Sequence, residues 1–217
     1  IQQAAYIVRN CYKEFPAGTI HVIGVDDELS LDNEHIALKM DGHFFIAADN
    51  GIFSILIKEI KPEIIVELNI TQKTNSLTFA TKDVLIIAAC HLARGGTLEI
   101  IGKKIEELKQ KRAELRPVIE PNLIKGTVIY IDSYGNAVTN ISKSIFNKVQ
   151  KGRTFSILFG REDEKINKIV TKYKDVSISD KLAIFDNNNQ LQIAINQGKA
   201  NTLLGLKFHD IIRIEFR

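Results

Sequence analysis

Two short stretches concentrate the side chains that could do chemistry. The first is Asp26-Asp27-Glu28, three carboxylates directly after the apolar run Thr19–Val25. The second lies within Leu123–Ile141, where Asp132, Ser133, Asn136, Thr139 and Asn140 fall within nine residues between β-branched runs. A carboxylate can accept both hydroxyls of a ribose, and asparagine presents a donor and an acceptor together, as a purine edge requires. The inventory suits a neutral or cationic ligand rich in hydroxyls and amide-like edges. No glycine-rich phosphate loop, nucleophile elbow or metal-ligand spacing is present, which argues against polyphosphate and acyl-transfer chemistry and against a metal. Each stretch also has a plain structural reading. The acidic triplet can be a solvated turn, and the polar groups of the second stretch can satisfy one another, because a buried group left unsatisfied costs about 1–3 kcal/mol.

The elements that must position these residues are legible from periodicity. Ala4, Ile7, Val8, Cys11, Tyr12 and Phe15 fall on one helical face, ended by Pro16 and Gly18. Thr19–Val25 reads as a buried strand, and ligands of open α/β sheets bind just outside such carboxyl ends. Ile36–Lys39 and His43–Ala47 form a hairpin across Asp41-Gly42, Asp49-Asn50-Gly51 is a turn, Ile52–Ile60 a short helix and Ile64–Leu68 a strand. A helix from Thr81 carries Val84, Leu85, Ala88, His91 and Leu92 and stops at Gly95-Gly96. His91 on or near that stripe reads as a satisfied core or boundary residue rather than a ligand. Residues 102–116 read as a charged surface helix with Ile105 and Leu108 inward.

Beyond Pro117 and Pro121 strands dominate: Thr127–Ile131, Ala137–Ile141, Thr154–Phe159, Ile166–Lys172, Leu182–Phe185, Leu191–Asn196 and Ile211–Phe216, with one helical turn between Ser142 and Val149. The expected fold is therefore an α/β N-terminal domain, residues 1–118, followed by an all-β, barrel-like C-terminal domain, residues 119–217.

Composition narrows the partners. In 217 residues, 29 basic and 26 acidic side chains are interspersed for a net charge of +3, which leaves no electrostatic footprint for nucleic acid. No apolar run approaches the ~20 residues of a membrane span, so a cytoplasmic protein is expected. Cys11 and Cys90, without regular spacing and among apolar residues, read as inert core thiols. The chain starts at Ile1 inside a helix, which suggests a preceding segment.

An ordered set of motifs then becomes recognisable. Phe15-Pro-Ala-Gly-Thr-Ile-His-Val-Ile-Gly-Val-Asp26, Ala48-Asp49-Asn50-Gly51, Asp83 with Ala88-Ala89-Cys90-His91-Leu92-Ala93, Ile131-Asp132-Ser-Tyr-Gly-Asn136-Ala-Val-Thr139-Asn140-Ile141 and Leu191-Gln-Ile-Ala-Ile-Asn196-Gln-Gly198 span nearly the whole chain. Together they resemble the S-adenosylmethionine (SAM) hydroxide adenosyltransferase family, which also contains fluorinases and chlorinases. The resemblance implies a homotrimer with ligand held between the N-terminal domain of one subunit and the C-terminal domain of the next. It implies cleavage of SAM by water or hydroxide at C5′, giving adenosine and methionine with no cofactor. Carried over by position, Asp26 would be catalytic and polarise the water. Asp132 would meet the methionine ammonium, Asn136 the adenine edge, Tyr173 would pack near the base, and the backbone around Asn196 and Gln197 would complete the purine pocket.

The departures lie in the first half. The hydrolases of the family follow the aspartate with Pro-Gly-Val-Gly and an arginine seven residues on; this chain has Asp27-Glu28-Leu29-Ser30 and Asn33. Their Phe-His-Gly-Arg-Asp run is here Phe79-Ala80-Thr81-Lys82-Asp83, and their opening Thr-Asp-Phe-Gly-like strand is not in this sequence. Two readings follow: a hydrolase whose water site uses Asp26, Asp27 or Glu28, and a non-catalytic relative that binds SAM or adenosine. A halogenase is disfavoured, since three carboxylates repel a halide.

Overall fold

The computed structural model describes all residues except 29, 31–32, 58–59, 72–78, 110–114 and 161–164. The chain forms two compact units, Ile1–Glu114 and Leu115–Arg217.

In the first unit the strands β1 (Ile20–Ile23), β2 (His35–Met40), β3 (His43–Ala48), β4 (Ile64–Leu68) and β5 (Gly102–Lys104) make one sheet in the order β1-β3-β2-β4-β5. Only β1 and β3 run parallel, with Ile23 opposite Ala47; the other pairs are antiparallel. The β2–β3 turn needs positive φ at both central positions, and Asp41 (52°) and Gly42 (74°) supply it. Both faces of the sheet are covered. Ile36, Leu38 and Phe45 meet helices α1 (Gln2–Cys11) and α2 (Ile52–Ile57), whereas Ala37, Ile46 and Val66 meet the segment Thr81–Ala93 and α4 (Leu98–Ile101). Double coverage explains why β2 and β3 read as continuous apolar runs rather than alternating ones. Within Thr81–Ala93 a single widened π turn, Thr81–Leu85, leads into α3 (Ile86–Ala93).

Three expectations for this unit are corrected. On the first helix the buried stripe runs through Ala5 and Tyr6, which leaves Ile7 about half exposed, and Phe15, where the chain turns extended after the 3-10 turn Tyr12–Glu14, is about half exposed as well. Cys90 is exposed on α3, not a core thiol, and Cys11 is only partly buried. Residues 102–109 are not helical. Gly102 lies so close to β4 that a Cβ would come within 2.5 Å of the Glu67 carbonyl, and the chain continues as an edge strand whose Ile105 N–H donates to Ile65 O at 3.0 Å. Ile105 and Leu108 still pack inward, so the apolar spacing was informative while the period was not. Residues 110–114 of the expected helix lie outside the described residues.

The second unit is a nearly closed, barrel-like sheet. It runs β10 (Lys165–Ile166), β9 (Phe155–Phe159), β14 (Ile211–Phe216), β7 (Leu123–Ile131), β8 (Ala137–Ser142), β13 (Gln190–Ile195), β12 (Lys181–Phe185) and β11 (Ile169–Val170), with β6 (Val118–Glu120) beside β7. The nine-residue β7 turns the corner: its first half pairs with β14 and its second half with β8, with a register irregularity between Val128 and Tyr130. Helix α5 (Lys143–Gln150) starts where Ser142 Oγ accepts the Ile145 N–H and places Phe146 against Phe155 and Phe216 in the core. The expected strand Ile166–Lys172 is split into the two short strands β10 and β11.

Candidate functional site

The acidic loop of the first unit is held by its neighbours, residue by residue. Asp26 adopts a left-handed backbone (φ 51°), uncommon for a non-glycine residue, and its side chain is exposed. Two amides stabilise that conformation. Asn50 Nδ2 donates to the carbonyls of Val25 (2.7 Å) and Asp26 (3.1 Å), and Asn33 Nδ2 donates to those of Asp26 (3.0 Å) and Glu28 (2.8 Å). His35, buried beneath the loop, donates from Nε2 to the Asp27 carbonyl at 2.8 Å.

The three carboxylates are therefore not equivalent. Asp27 is buried and points at the start of the Thr81 segment, where Oδ2 accepts the Thr81 N–H at 2.5 Å and the Thr81 hydroxyl. Gly24 allows this approach, since a Cβ there would lie 2.2 Å from Thr81 Oγ1. Asp27 is a structural clamp, and Asp26 and Glu28 remain exposed. Among the described residues no hydrogen bond or ion pair reaches the Asp26 carboxylate. Asn33 is committed to backbone carbonyls, and Ala80 is a fully buried methyl.

In the second unit the Asp132–Asn136 turn closes on the Asp132 carboxylate. Oδ1 accepts the backbone N–H of Tyr134 (2.9 Å) and Asn136 (2.8 Å), and Oδ2 accepts Asn136 Nδ2 (2.9 Å). Gly135 sits at φ 82° where the turn abuts α6 (Ala200–Leu203): a Cβ would lie 2.4 Å from Asn201 Oδ1, and Gly135 O already accepts the Asn201 N–H at 2.8 Å. This contact ties the turn to the segment after β13, where Gln197 is left-handed (φ 57°).

Asp132, Asn136, Tyr173 and Gln197 consequently share one cleft of about 620 Å³, walled also by Tyr134 and Lys199. Tyr173 lies in a 3-10 turn and donates from its hydroxyl to Gln192 Oε1 at 2.7 Å. Burial, followed by the negative charges of Asp132 and Asp186, holds its phenol above the usual tyrosine value, so the hydroxyl keeps its proton at neutral pH.

Other candidates are placed elsewhere. Asn196 is buried with its side chain donating to Val176 O at 2.9 Å, and its own N–H and carbonyl bond Asp180 and Ser179. It anchors the turn after β13 rather than lining the cleft. Thr139 donates to Leu191 O and accepts from Ile141 N, and Asn140 spans Thr127 N and Leu115 O, so these two satisfy the backbone. His91 Nε2 donates to Thr97 O at 3.1 Å and packs over Gly96, a capping role. Asn50 and Gln192 lie within the sequence motifs and Asn33 stands out only as a departure, so none of them, nor His35, carries a sequence signal for the role it plays here. Among the described residues no cluster of three or more His, Cys, Asp or Glu could hold a metal, and no helix is long and apolar enough to cross a membrane.

The chain thus joins a doubly covered small sheet to a barrel-like unit that carries a cleft lined by Asp132, Asn136 and Tyr173. Residues 1–102 match the SAM hydroxide adenosyltransferase N-terminal domain and residues 126–213 its C-terminal domain. The chain belongs to the SAM hydroxide adenosyltransferase family. It is 23% identical over 144 residues to a protein of Methanocaldococcus jannaschii named (R)-S-adenosyl-L-methionine hydrolase, a match covering 66% of this chain and 50% of that one. A protein of the same name from Salinispora tropica is 22% identical over 99% of this chain and 81% of its own length. The fold superimposes on the crystal structure of an uncharacterized conserved protein from Thermotoga maritima with a TM-score of 0.86 and 26% identity, over 98% of this chain and 83% of that one.

Proposed function

We propose that this protein hydrolyses SAM to adenosine and methionine. The observation that carries the reading is the cleft of the second unit. It combines a carboxylate, an asparagine and a tyrosine ring at one place in a family whose relatives bear the hydrolase name. The adenosine part occupies that cleft, with Tyr173 against the base, Asn136 near its edge and the Gln197 turn closing the purine side. Asp132 faces the ammonium of the methionine part. Asp26, from a neighbouring subunit of a homotrimer, orients the water.

The chemistry asks little of the protein. Water oxygen forms a bond to C5′ while the C5′–S bond breaks, its electron pair goes to sulfur to leave neutral methionine, and a proton passes to Asp26 or solvent. A sulfonium is already a good leaving group, so no cofactor is required. Holding water and carbon in line supplies the acceleration. The exposed Asp26 carboxylate, set at a fixed angle by Asn33 and Asn50, is suited to that work.

A second reading, a binding protein without turnover, is favoured by one observation. The positions of the family's arginine and histidine hold a carbonyl-bonded Asn33 and a buried Ala80. Without cations beside Asp26, electrostatic support worth about 3–4 kcal/mol per donor is lost. Incubation with SAM, with adenosine and methionine followed by chromatography, separates the two. Equimolar release over many turnovers supports hydrolysis, and binding of SAM without adenosine above the protein-free control supports the second reading.

A further inference from the structure

We propose that Gln192 is a positioning residue that fixes the hydrogen-bond polarity of the cleft. Its side chain is held between Tyr173 and Asp132 so that this wall offers the ligand acceptors only. The inference rests on the cleft being the ligand site.

Gln192 is a polar residue in the middle of β13, opposite Val138 of β8 and Ile184 of β12, and only 5% exposed. A buried amide must find partners on both of its ends. Gln192 does so with two residues of the cleft: Oε1 accepts the Tyr173 hydroxyl at 2.7 Å, and Nε2 donates to Asp132 Oδ2 at 3.4 Å. The amide has one tolerable orientation here. Rotating it by half a turn would set its carbonyl oxygen against a carboxylate oxygen, two acceptors face to face. Asp132 therefore dictates that the carbonyl end faces Tyr173, and a carbonyl can only accept. The single phenolic proton of Tyr173 is thereby drawn toward Gln192.

The consequence for recognition is specific. Tyr173 can then only accept through its oxygen or stack through its ring, and Asp132 has only acceptors to give. Of the contacts on the Asp132 carboxylate, that with Gln192 is the longest, against 2.8–2.9 Å for the other three, so Oδ2 is where a further donor gains most. A ligand must bring a hydroxyl or an ammonium to this wall, and an anionic group is refused. The raised phenol pKa of Tyr173 agrees with a hydroxyl that remains a donor.

Two isosteric replacements test the arrangement, with intact folding checked by circular dichroism. Gln192→Leu removes both hydrogen bonds. Gln192→Glu keeps an acceptor for Tyr173 but sets a carboxylate beside Asp132, a pair that regains the native pattern only when it shares a proton. Adenosine and SAM binding are measured by calorimetry. Affinity should fall about tenfold for Gln192→Leu at every pH, as expected for loss of a hydrogen bond to a charged group. Relative to the native protein, Gln192→Glu should lose a similar factor at about pH 8 and recover to within about twofold near pH 5. Acid relieves the repulsion between the two carboxylates whatever the role of the residue, so the Tyr173 midpoint is the readout that a merely structural role would not move.

A ligand-independent arm reads the relay itself. Phenolate absorbance, taken as a difference from Tyr173→Phe in each background, reports Tyr173 alone. Removing the acceptor should lower its midpoint in Gln192→Leu, and the added negative charge should raise it in Gln192→Glu. Unchanged midpoints in both variants, or a loss of affinity in Gln192→Glu that acid does not restore, overturn the proposal. If the native protein binds neither ligand while both midpoints shift, the relay stands and the assignment of the cleft falls.

Discussion

Replacing Gly135 with alanine tests the coupling between the Asp132–Asn136 turn and the wall of the cleft. The residue sits at φ 82°, where an L side chain costs about 1–2 kcal/mol. The new methyl would lie 2.4 Å from Asn201 Oδ1, 2.9 Å from Lys199 Cβ and 3.1 Å from Lys199 Cα. The Asn201 amide can rotate away, but the Lys199 backbone can move only by shifting the start of α6, and overpacking of this kind costs about 1–3 kcal/mol. Alanine also lowers the entropy of the unfolded chain, returning about 0.4–1 kcal/mol. The net expectation is a loss of about 1–4.6 kcal/mol in urea-induced unfolding of the second unit. Because Lys199 lines the cleft, adenosine affinity measured on the folded variant should fall as well. A stability change below about 0.5 kcal/mol with native affinity would refute the argument that this glycine joins turn and cleft.

Two further predictions concern the first unit. In Asn33→Ala the Asp26 and Glu28 carbonyls lose their shared donor, while Asn50 still holds Val25 and Asp26. SAM turnover should drop severalfold, with adenosine affinity within about twofold of native, since the binding groups are elsewhere; equal losses in both would count against Asn33 as a brace for Asp26. The second concerns His21, whose Nε2 lies 3.2 Å from His43 Nδ1 in a cluster with Tyr12, Phe15 and Phe45, with Asp41 and Lys13 adjoining. Burial first, and then the charge on His43, depress the His21 pKa below its ordinary value. A depressed histidine binds its proton more readily in the unfolded chain, so stability is unaffected at high pH and falls as pH drops below about 6.5. The decline should level off below the depressed folded-state value, and His21→Gln should show a shallower slope in thermal melts between about pH 7 and pH 5. An identical slope would mean that His21 does not carry this proton.

What the sequence revealed followed from local grammar. Asp41-Gly42 announced its hairpin, and the β-branched runs after Pro121 announced a strand-rich unit, because turn chemistry and period two are encoded by neighbours. The segment 102–109 misled for a complementary reason. Ile105 and Leu108 fit a helical stripe, but the backbone hydrogen bonds were won by β4, a partner more than thirty positions away in the chain. Polar residues were harder still. Thr139 and Asn140 looked like ligand groups and turned out to serve the backbone, whereas Gln192, inconspicuous in an apolar strand, touches two cleft residues. Asp27 looked equivalent to Asp26 until the contact with Thr81 distinguished them. Donors and acceptors acquire roles only from three-dimensional partners, and residue type alone does not name the partner.

If water attacks C5′ of SAM, its oxygen stays in the adenosine released. Running the reaction in water enriched in heavy oxygen and weighing the released adenosine by mass spectrometry tests it most directly. Attack by water gives one heavy oxygen per adenosine, located at the 5′-hydroxyl by fragmentation, with unlabelled methionine. No adenosine above the protein-free control, or adenosine whose 5′-oxygen is unlabelled, would contradict it.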